Sequence, residues 1–506
     1  MNRRNFLRYM GAAAGAAAVT GLVRRRADAA PFGTFPADAG AVQLPEGKRA
    51  RRVLEIFLYG GISQWETLYF VPEYGRAGSM HPGTQYYAFE SQNAEALSAC
   101  GFVGNELGHA FGRDANGATV HLGPFAQQLW NRPDVLERMR LIVQRHELAP
   151  HEAAVPLALT GRPVGQPTGA GLGSHVQRHF LDNDRGSNRA APYSYVFATG
   201  GISSDNVSAA ADTGMHPGAA RPLLIKVDNA QLLGDLLARG TVGERRAAHD
   251  ALTQIYVDQY ENRLRWKGGD RVRSARLDDL AVAAETAGRA DAIATVLDRD
   301  LFKARPGQAC GRDVETNIPL MSLEAARHLL TLPGEAARYV CVSDVGLYEA
   351  SGGGGYDTHS LNATDTATNF DNLLRCLLGI INGPGERDPR KLDLDDTLII
   401  LNTEFGRTPE PQEEGSDGRN HHPYGYTTAF IGGPIRKGQA GVFGAIGEDG
   451  KATHWVSPSE NRIAALLAMG IWPFAPEAFA VSDVIQAGSE RDAATRALDH
   501  YLGIKL

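Results

Sequence analysis

One pattern constrains this chain more than any other. Short apolar runs end abruptly at glycines or at loops crowded with charge, and helical segments lie between them. VLEIFLYGG (Val53 to Gly61), RLIVQRHEL (Arg140 to Leu148), SYVFATG, LLIKV, ARYVCVSDVG (Ala337 to Gly346), DTLIILNTEFG (Asp396 to Gly406) and YTTAFIGGPI all have the length and β-branched or aromatic character of buried strands. Pro150 can open a helix that Ala153 to Leu159 continue. Asn369 to Ile381, Asn461 to Met469 and Asp492 to Tyr501 also carry helical spacing. Strands alternating with helices, with polar loops after the strands, predict an α/β fold: a mostly parallel central sheet flanked by helices.

Two regions break the pattern. Residues 75–125 are polar and glycine-rich and predict a long folded loop. From Val242 to Lys303 charged residues dominate, and Leu252, Ile255, Tyr256, Leu280, Val282, Ile293, Val296 and Leu297 recur at helical spacing. That spacing predicts a helical insertion over about 242–303, packed on one side of the sheet. Residues 30–50 predict an extended segment before the α/β domain of 51–506.

The N-terminus reads as an address rather than as fold. Arg3-Arg4, then Phe6-Leu7, a weakly apolar run from Met10 to Val23 and the small-x-small site Ala27-Asp28-Ala29 together resemble a Tat export signal over residues 1–29. The apolar run is about 14 residues, short of the roughly 20 that a spanning helix needs, and no other segment is apolar enough to span. The expected partner during export is the Tat translocase, and the expected location is periplasmic or secreted.

Removal of residues 1–29 takes the formal charge from -7 to about -12, with 45 basic against 57 acidic residues left. An acidic chain without a basic run is a poor nucleic-acid binder, because phosphate neutralisation needs clustered Lys and Arg. The four cysteines (Cys100, Cys310, Cys341, Cys376) form no CxxC pair, which excludes a zinc ribbon. One disulfide is compatible with an oxidising compartment, and the sequence does not choose it. No GxSxG elbow, GxGxxG or Walker A element is present.

Metal-ligand residue types gather at three strand ends. GGISQWETLYF carries Glu66, GGYDTHS carries Asp357 and His359, and NTEFGRTPEPQEEGSDGRNHHPYG carries Glu404, His421 and His422. Carboxylates and imidazoles are the ordinary ligands of zinc, manganese or iron, and loops after parallel strands open on one edge of a sheet. Each residue has a plainer reading: Asp357 as a turn former, His421-His422 as a surface turn, Glu404 as an ion-pair partner of Arg407. Arg407 and Arg419 have the planar fork that grips an anionic ester.

The glycine pair with an acidic residue after the first strand, GGYDTH, and TEFGRTP followed by GRNHHP resemble a large family of exported bacterial proteins of unknown function. That family is marked by EFGRTP and grouped with the alkaline phosphatase and sulfatase superfamily. The resemblance covers about residues 50 to 475. It implies an alkaline-phosphatase-like core, a divalent metal (zinc, manganese or calcium) at the strand ends, and hydrolysis of phosphate or sulfate esters in an anionic small molecule or polymer. It implies Glu66, Asp357, His359, Glu404 and His421 or His422 as ligands. Phe405 departs from the superfamily pattern, which has histidine there. Asn420 and Glu66 both stand where aspartate is usual. The position of the superfamily's hydroxyl or thiol nucleophile falls at Glu152, beside His151. The expectation is therefore a metal-dependent ester hydrolase with His151 and Arg407 in catalysis and Arg407 and Arg419 on the substrate. The alternative is a catalytically degenerate relative that serves as an envelope binding or assembly protein.

Overall fold

The computed structural model describes residues 31–102, 107–166, 169–183, 193–198, 202–214, 221–227, short stretches between 247 and 259, and 296–506 apart from 298, 335 and 348–354. The proposed export signal, most of the proposed helical insertion and most of the tetraglycine before Tyr356 lie outside the described residues. Inside the insertion the described fragments are helical, and Leu252, Ile255 and Tyr256 are exposed.

Among the described residues eight strands form one central sheet. In chain order they are β1 (Arg52–Leu58), β2 (Met139–Gln144), β3 (Ser194–Ala198), β4 (Leu223–Lys226), β5 (Tyr339–Asp344), β6 (Thr397–Asn402), β7 (Tyr426–Gly432) and β8 (Gly441–Phe443). Across the sheet the order is β8-β2-β7-β6-β1-β5-β3-β4. β1 lies between β5 and β6 and is parallel to both. Only β7 runs against the others, antiparallel to β6 on one side and to β2 on the other. The expected mostly parallel sheet is present, with this reversal inside it.

Both faces of the sheet are covered, which is why its strands are apolar on both sides. Leu54, Ile56 and Leu58 of β1 enter a core that includes α1 (Glu90–Ala99), α5 (Ile318–Thr331) and α6 (Asn362–Ile380). Val53 and Phe57 face the opposite core, with α2 (His151–Thr160), α3 (Leu172–Asn183), α4 (Ile202–Ala211), α7 (Pro458–Ala468) and α8 (Glu490–Leu502). Glu55 breaks the alternation. It is fully buried, and both its oxygens receive Arg462 Nη1 at 2.7 and 2.8 Å. Asn402 Nδ2 donates to it at 2.9 Å and the Tyr339 hydroxyl at 2.5 Å.

Local chemistry sets the helix ends. Ser457 and Ser489 cap α7 and α8 through backbone N–H groups three residues on, and Asn317 does the same for α5. α2 begins directly after Pro150 and ends at Gly161, whose φ of 70° is the usual left-handed stop.

Several expectations change. Residues 75–125 contain α1 and a hairpin, His109–Arg113 with Thr119–Leu122, rather than loop alone. Residues 31–50 contain two short 3₁₀ turns rather than an extended run. α6 starts at Asn362, earlier than its spacing suggests. The disulfide joins Cys100 to Cys310, while Cys341 and Cys376 are free and buried.

Candidate metal centre

The site forms where β1, β5 and β6 end and α2 begins. β1 leaves through Tyr59, Gly60 and Gly61, with φ of 109° and 87° at the two glycines. A Cβ on Gly60 would lie 2.1 Å from Asp357 N, so only glycine lets these two backbones approach. Gly60 N donates to Glu404 Oε1 at 2.8 Å, which ties the end of β1 to the residues after β6.

Two histidines in a row are split by a two-residue ribbon. Gly406–Arg407 pairs antiparallel with His421–His422, so successive side chains point to opposite faces. His421 shares a face with Arg407, and both reach Asp357: His421 Nε2 lies 3.2 Å from Oδ1, and Arg407 Nη2 donates to the same oxygen. His359 Nε2 lies 3.1 Å from that oxygen and 3.0 Å from His421 Nε2. His422 goes the other way, to Gly450 O at 2.8 Å, with Trp65 and Tyr424 beside it.

Hydrogen bonds on the far side of each ring fix what these nitrogens offer. His421 Nδ1 lies 2.9 Å from Ala149 O, which can only accept, so Nδ1 carries a proton and Nε2 is the nitrogen left to face Asp357. His359 Nδ1 is held the same way by Gln412 Oε1 at 2.6 Å. Two imidazole nitrogens and a carboxylate oxygen therefore converge at 3.0 to 3.2 Å, with Arg407 donating to the same oxygen. Ligands roughly 2.0–2.2 Å from a first-row divalent ion stand about 3.0–3.5 Å apart, so the donor set fits one.

His151 occupies the other side of Asp357. Its Nδ1 lies 2.9 Å from Glu404 Oε1, and its Nε2 faces Asp357 Oδ2 at 3.4 Å without an aligned hydrogen bond. Tyr59 stacks on the ring at 5.0 Å, and the Phe405 ring lies 5.0 Å from it, tilted. Ligand atoms of His151, Asp357 and His421 all lie within 4.8 Å of one another. Burial pulls the His151 pKa down, but the two carboxylates outweigh it and lift it to about 9. Burial raises Asp357, but the three histidines and Arg407 hold it far below the usual carboxylate range. Burial, with Arg407 and His151 nearby, lowers His421.

The remaining expected residues sit elsewhere or do other work. Glu66 is buried with Ser63 Oγ on one oxygen and Arg419 Nη2 on the other at 2.6 Å, so the geometry makes it an arginine partner rather than a ligand. Arg419 is fully buried, donates to Thr408 O, Pro409 O and Gln85 O, and lies over Phe89. Arg407 is also fully buried and donates to Gly60 O, Gly61 O and Arg419 O besides Asp357. The sequence reading expects these arginines to grip a substrate; here their forks close on backbone carbonyls and carboxylates inside the protein. Sequence reasoning passes over Gln412 and over His146, whose Nε2 donates to Glu404 O at 2.6 Å. His146 follows β2, so the strand-end rule that found the other loops also marks it.

A three-layer α/β protein with a carboxylate–imidazole cluster at the carboxyl edge of its sheet is the class that fold and site define. Residues 50–471 match the model of a family described as "Protein of unknown function (DUF1501)", and the chain belongs to that family. No curated protein matches it. No helix among the described residues is long and apolar enough to cross a membrane.

Proposed function

We propose that this protein is a Tat-exported, metal-dependent hydrolase of phosphate or sulfate esters, built on an alkaline-phosphatase-like core and acting in the periplasm or outside the cell. The observation that carries the reading is the convergence of Asp357 Oδ1, His359 Nε2 and His421 Nε2 at 3.0 to 3.2 Å. These three residues would hold the cation. When bound, it would supply Lewis-acid polarisation of the ester and lower the pKa of water.

The other residues set the stage for that chemistry. Arg407 fixes Asp357 through a buried ion pair and keeps its carboxylate ionised. Ala149 O and Gln412 fix the tautomers of the two ligand histidines. Glu404 orients His151, and Tyr59 and Phe405 pack against its ring. With Arg407 and Arg419 turned inward, the ester's charge falls to the cation and the histidine face.

A second reading has one observation in its favour. α2 presents His151 and Glu152 at its start, neither a hydroxyl nor a thiol, and both arginines are committed internally. A relative that binds metal and a partner without turnover would look the same. Elemental analysis and a panel of phospho- and sulfo-esters separate the two. Stoichiometric metal with turnover supports the hydrolase. Stoichiometric metal without turnover on any ester supports the binding protein.

A further inference from the structure

α2 does more than bring His151 to the cluster. Val155, Ala158 and Leu159 pack into the core, while Glu152, Pro156 and Thr160, four residues apart, form one wall of a cavity of about 270 Å³. α4 supplies the facing wall with Asn206, Ala209, Ala210 and Thr213, and the turn from Arg162 to Gln166, with Gly169, lies over both. Eight residues of helix make this groove roughly 12 Å long. Its far end lies at Thr160 and Thr213, where Gly171 N donates to Thr213 O at 3.1 Å. Its near end adjoins the Asp357 cluster. Glu152 follows His151 in the chain, and Tyr59, stacked on His151 at 5.0 Å, hydrogen-bonds through its hydroxyl to Asn206 and Ser203 of α4.

The lining decides what can sit there. A second phosphate or sulfate finds no free cation among the described residues, because Arg162 gives Nη1 to Asp483 and Nη2 to Ala478 O. A quaternary ammonium finds no cage, because no aromatic ring lines the cavity. What remains is rich in acceptors. The Glu152 carboxylate has no ion-pair or hydrogen-bond partner among the described residues. The Thr213 hydroxyl spends its proton on Ala209 O at 2.8 Å and leaves its oxygen to accept. Asn206 and Gln166 add amides, and Pro156, Ala209 and Ala210 add apolar surface. We propose that this cavity binds the hydroxyl-bearing organic part of the ester, a sugar or polyol of about monosaccharide size, with Glu152 as the acceptor that selects it. That the bound group is one half of an ester rests on the metal-hydrolase reading; the preference for hydroxyls does not.

Binding and turnover test the site separately. Wild type, Ala209→Trp and Glu152→Gln would be loaded with zinc or manganese and titrated by saturation-transfer NMR with glucose, myo-inositol and glycerol, and with ethanolamine beside them. The expected result is polyol binding to wild type that Ala209→Trp abolishes, because the indole fills the groove from an exposed position. Glu152→Gln should weaken the same binding by about tenfold. On glucose 6-phosphate, kcat/KM should fall by about 10- to 100-fold in Ala209→Trp. On methyl phosphate, too short to enter the groove, it should stay within about twofold. Equal losses on the two esters would overturn the proposal, as would binding of ethanolamine alone or of no probe at all. If wild type hydrolyses neither ester but binds a polyol that Ala209→Trp excludes, the cavity stands as a binding site and the hydrolase reading falls. Glu152→Gln keeps the shape of the helix start, so a folding defect confined to the tryptophan variant leaves the test intact.

Discussion

Two buried polar clusters lie on either side of β1's end, and they are built on opposite rules. Among the described residues the Glu55 carboxylate meets donors: Arg462, Asn402 and the Tyr339 hydroxyl. Around Asp357, Arg407 donates, but two imidazole nitrogens also press on the same oxygen. The first arrangement is complete with protein atoms on the carboxylate. The second is one that the proposed cation would complete. Burial and charge alone do not separate a structural network from a functional one; the balance of donors and acceptors does.

The largest test of that contrast is metal content. Asp357→Ala with His421→Ala should take bound zinc or manganese from about one ion per chain to none, measured by elemental analysis after metal-replete expression. A double variant that keeps stoichiometric metal would remove the contrast. Next in size is Arg462→Leu. It strands Glu55 and should cost about 3–5 kcal/mol in denaturant unfolding, with metal content unchanged in the folded fraction. Metal loss at native stability would mean that the two clusters are one unit.

His175, in α3 near Arg462, gives a smaller, pH-dependent test. Burial, helped by Arg162, pushes its pKa down from the ordinary 6.5 to about 3. Between those values the unfolded chain binds the proton and the folded chain does not. The stabilisation is full above about pH 6.5 and declines as pH falls toward 3, by about 2 kcal/mol at pH 5. Denaturation midpoints at pH 7 and pH 5, for wild type and His175→Gln, measure it. An equal drop in both would assign the loss to other groups. The smallest effect belongs to His422→Gln. His422 faces Gly450 rather than Asp357, so metal content should stay at the wild-type level. Its loss there would put the wrong histidine in the site.

How much of this was legible in the sequence follows from the kind of signal each feature leaves. Seven of the eight strands announce themselves as apolar runs, whereas β8, three half-buried residues, does not, and the loops that carry Asp357, His359 and His421 follow from the strand ends. α1 leaves little trace, because it buries Asn93 and Ala96 and shows no continuous apolar stripe. α3 does carry one, Leu172, Val176 and Phe180 at i, i+4 spacing, and the sequence reading passes over it. α5 did carry a start signal in Asn317 and Pro319. Which of His421 and His422 reaches the cluster depends on a ribbon two residues long, too short for any periodicity. Arg407 and Arg419 look in sequence like any exposed arginines. Only the fold shows their forks turned inward onto Asp357 and Glu66.

The reversed strand β7 has a consequence for how this family can vary. Because β6 exits and β7 enters at the same edge, residues 403–425 leave the sheet and return to it without crossing a face. Both feet of that excursion stand on adjacent interior strands, and the ribbon of 406–407 with 421–422 cinches it just above them. The mostly exposed tip, 413–416, can therefore gain or lose residues while Glu404 and His421 keep their footing. On either side of it the excursion is tied to the cluster, through Gln412 on His359 Nδ1 and through Gly418, which packs on the His359 backbone.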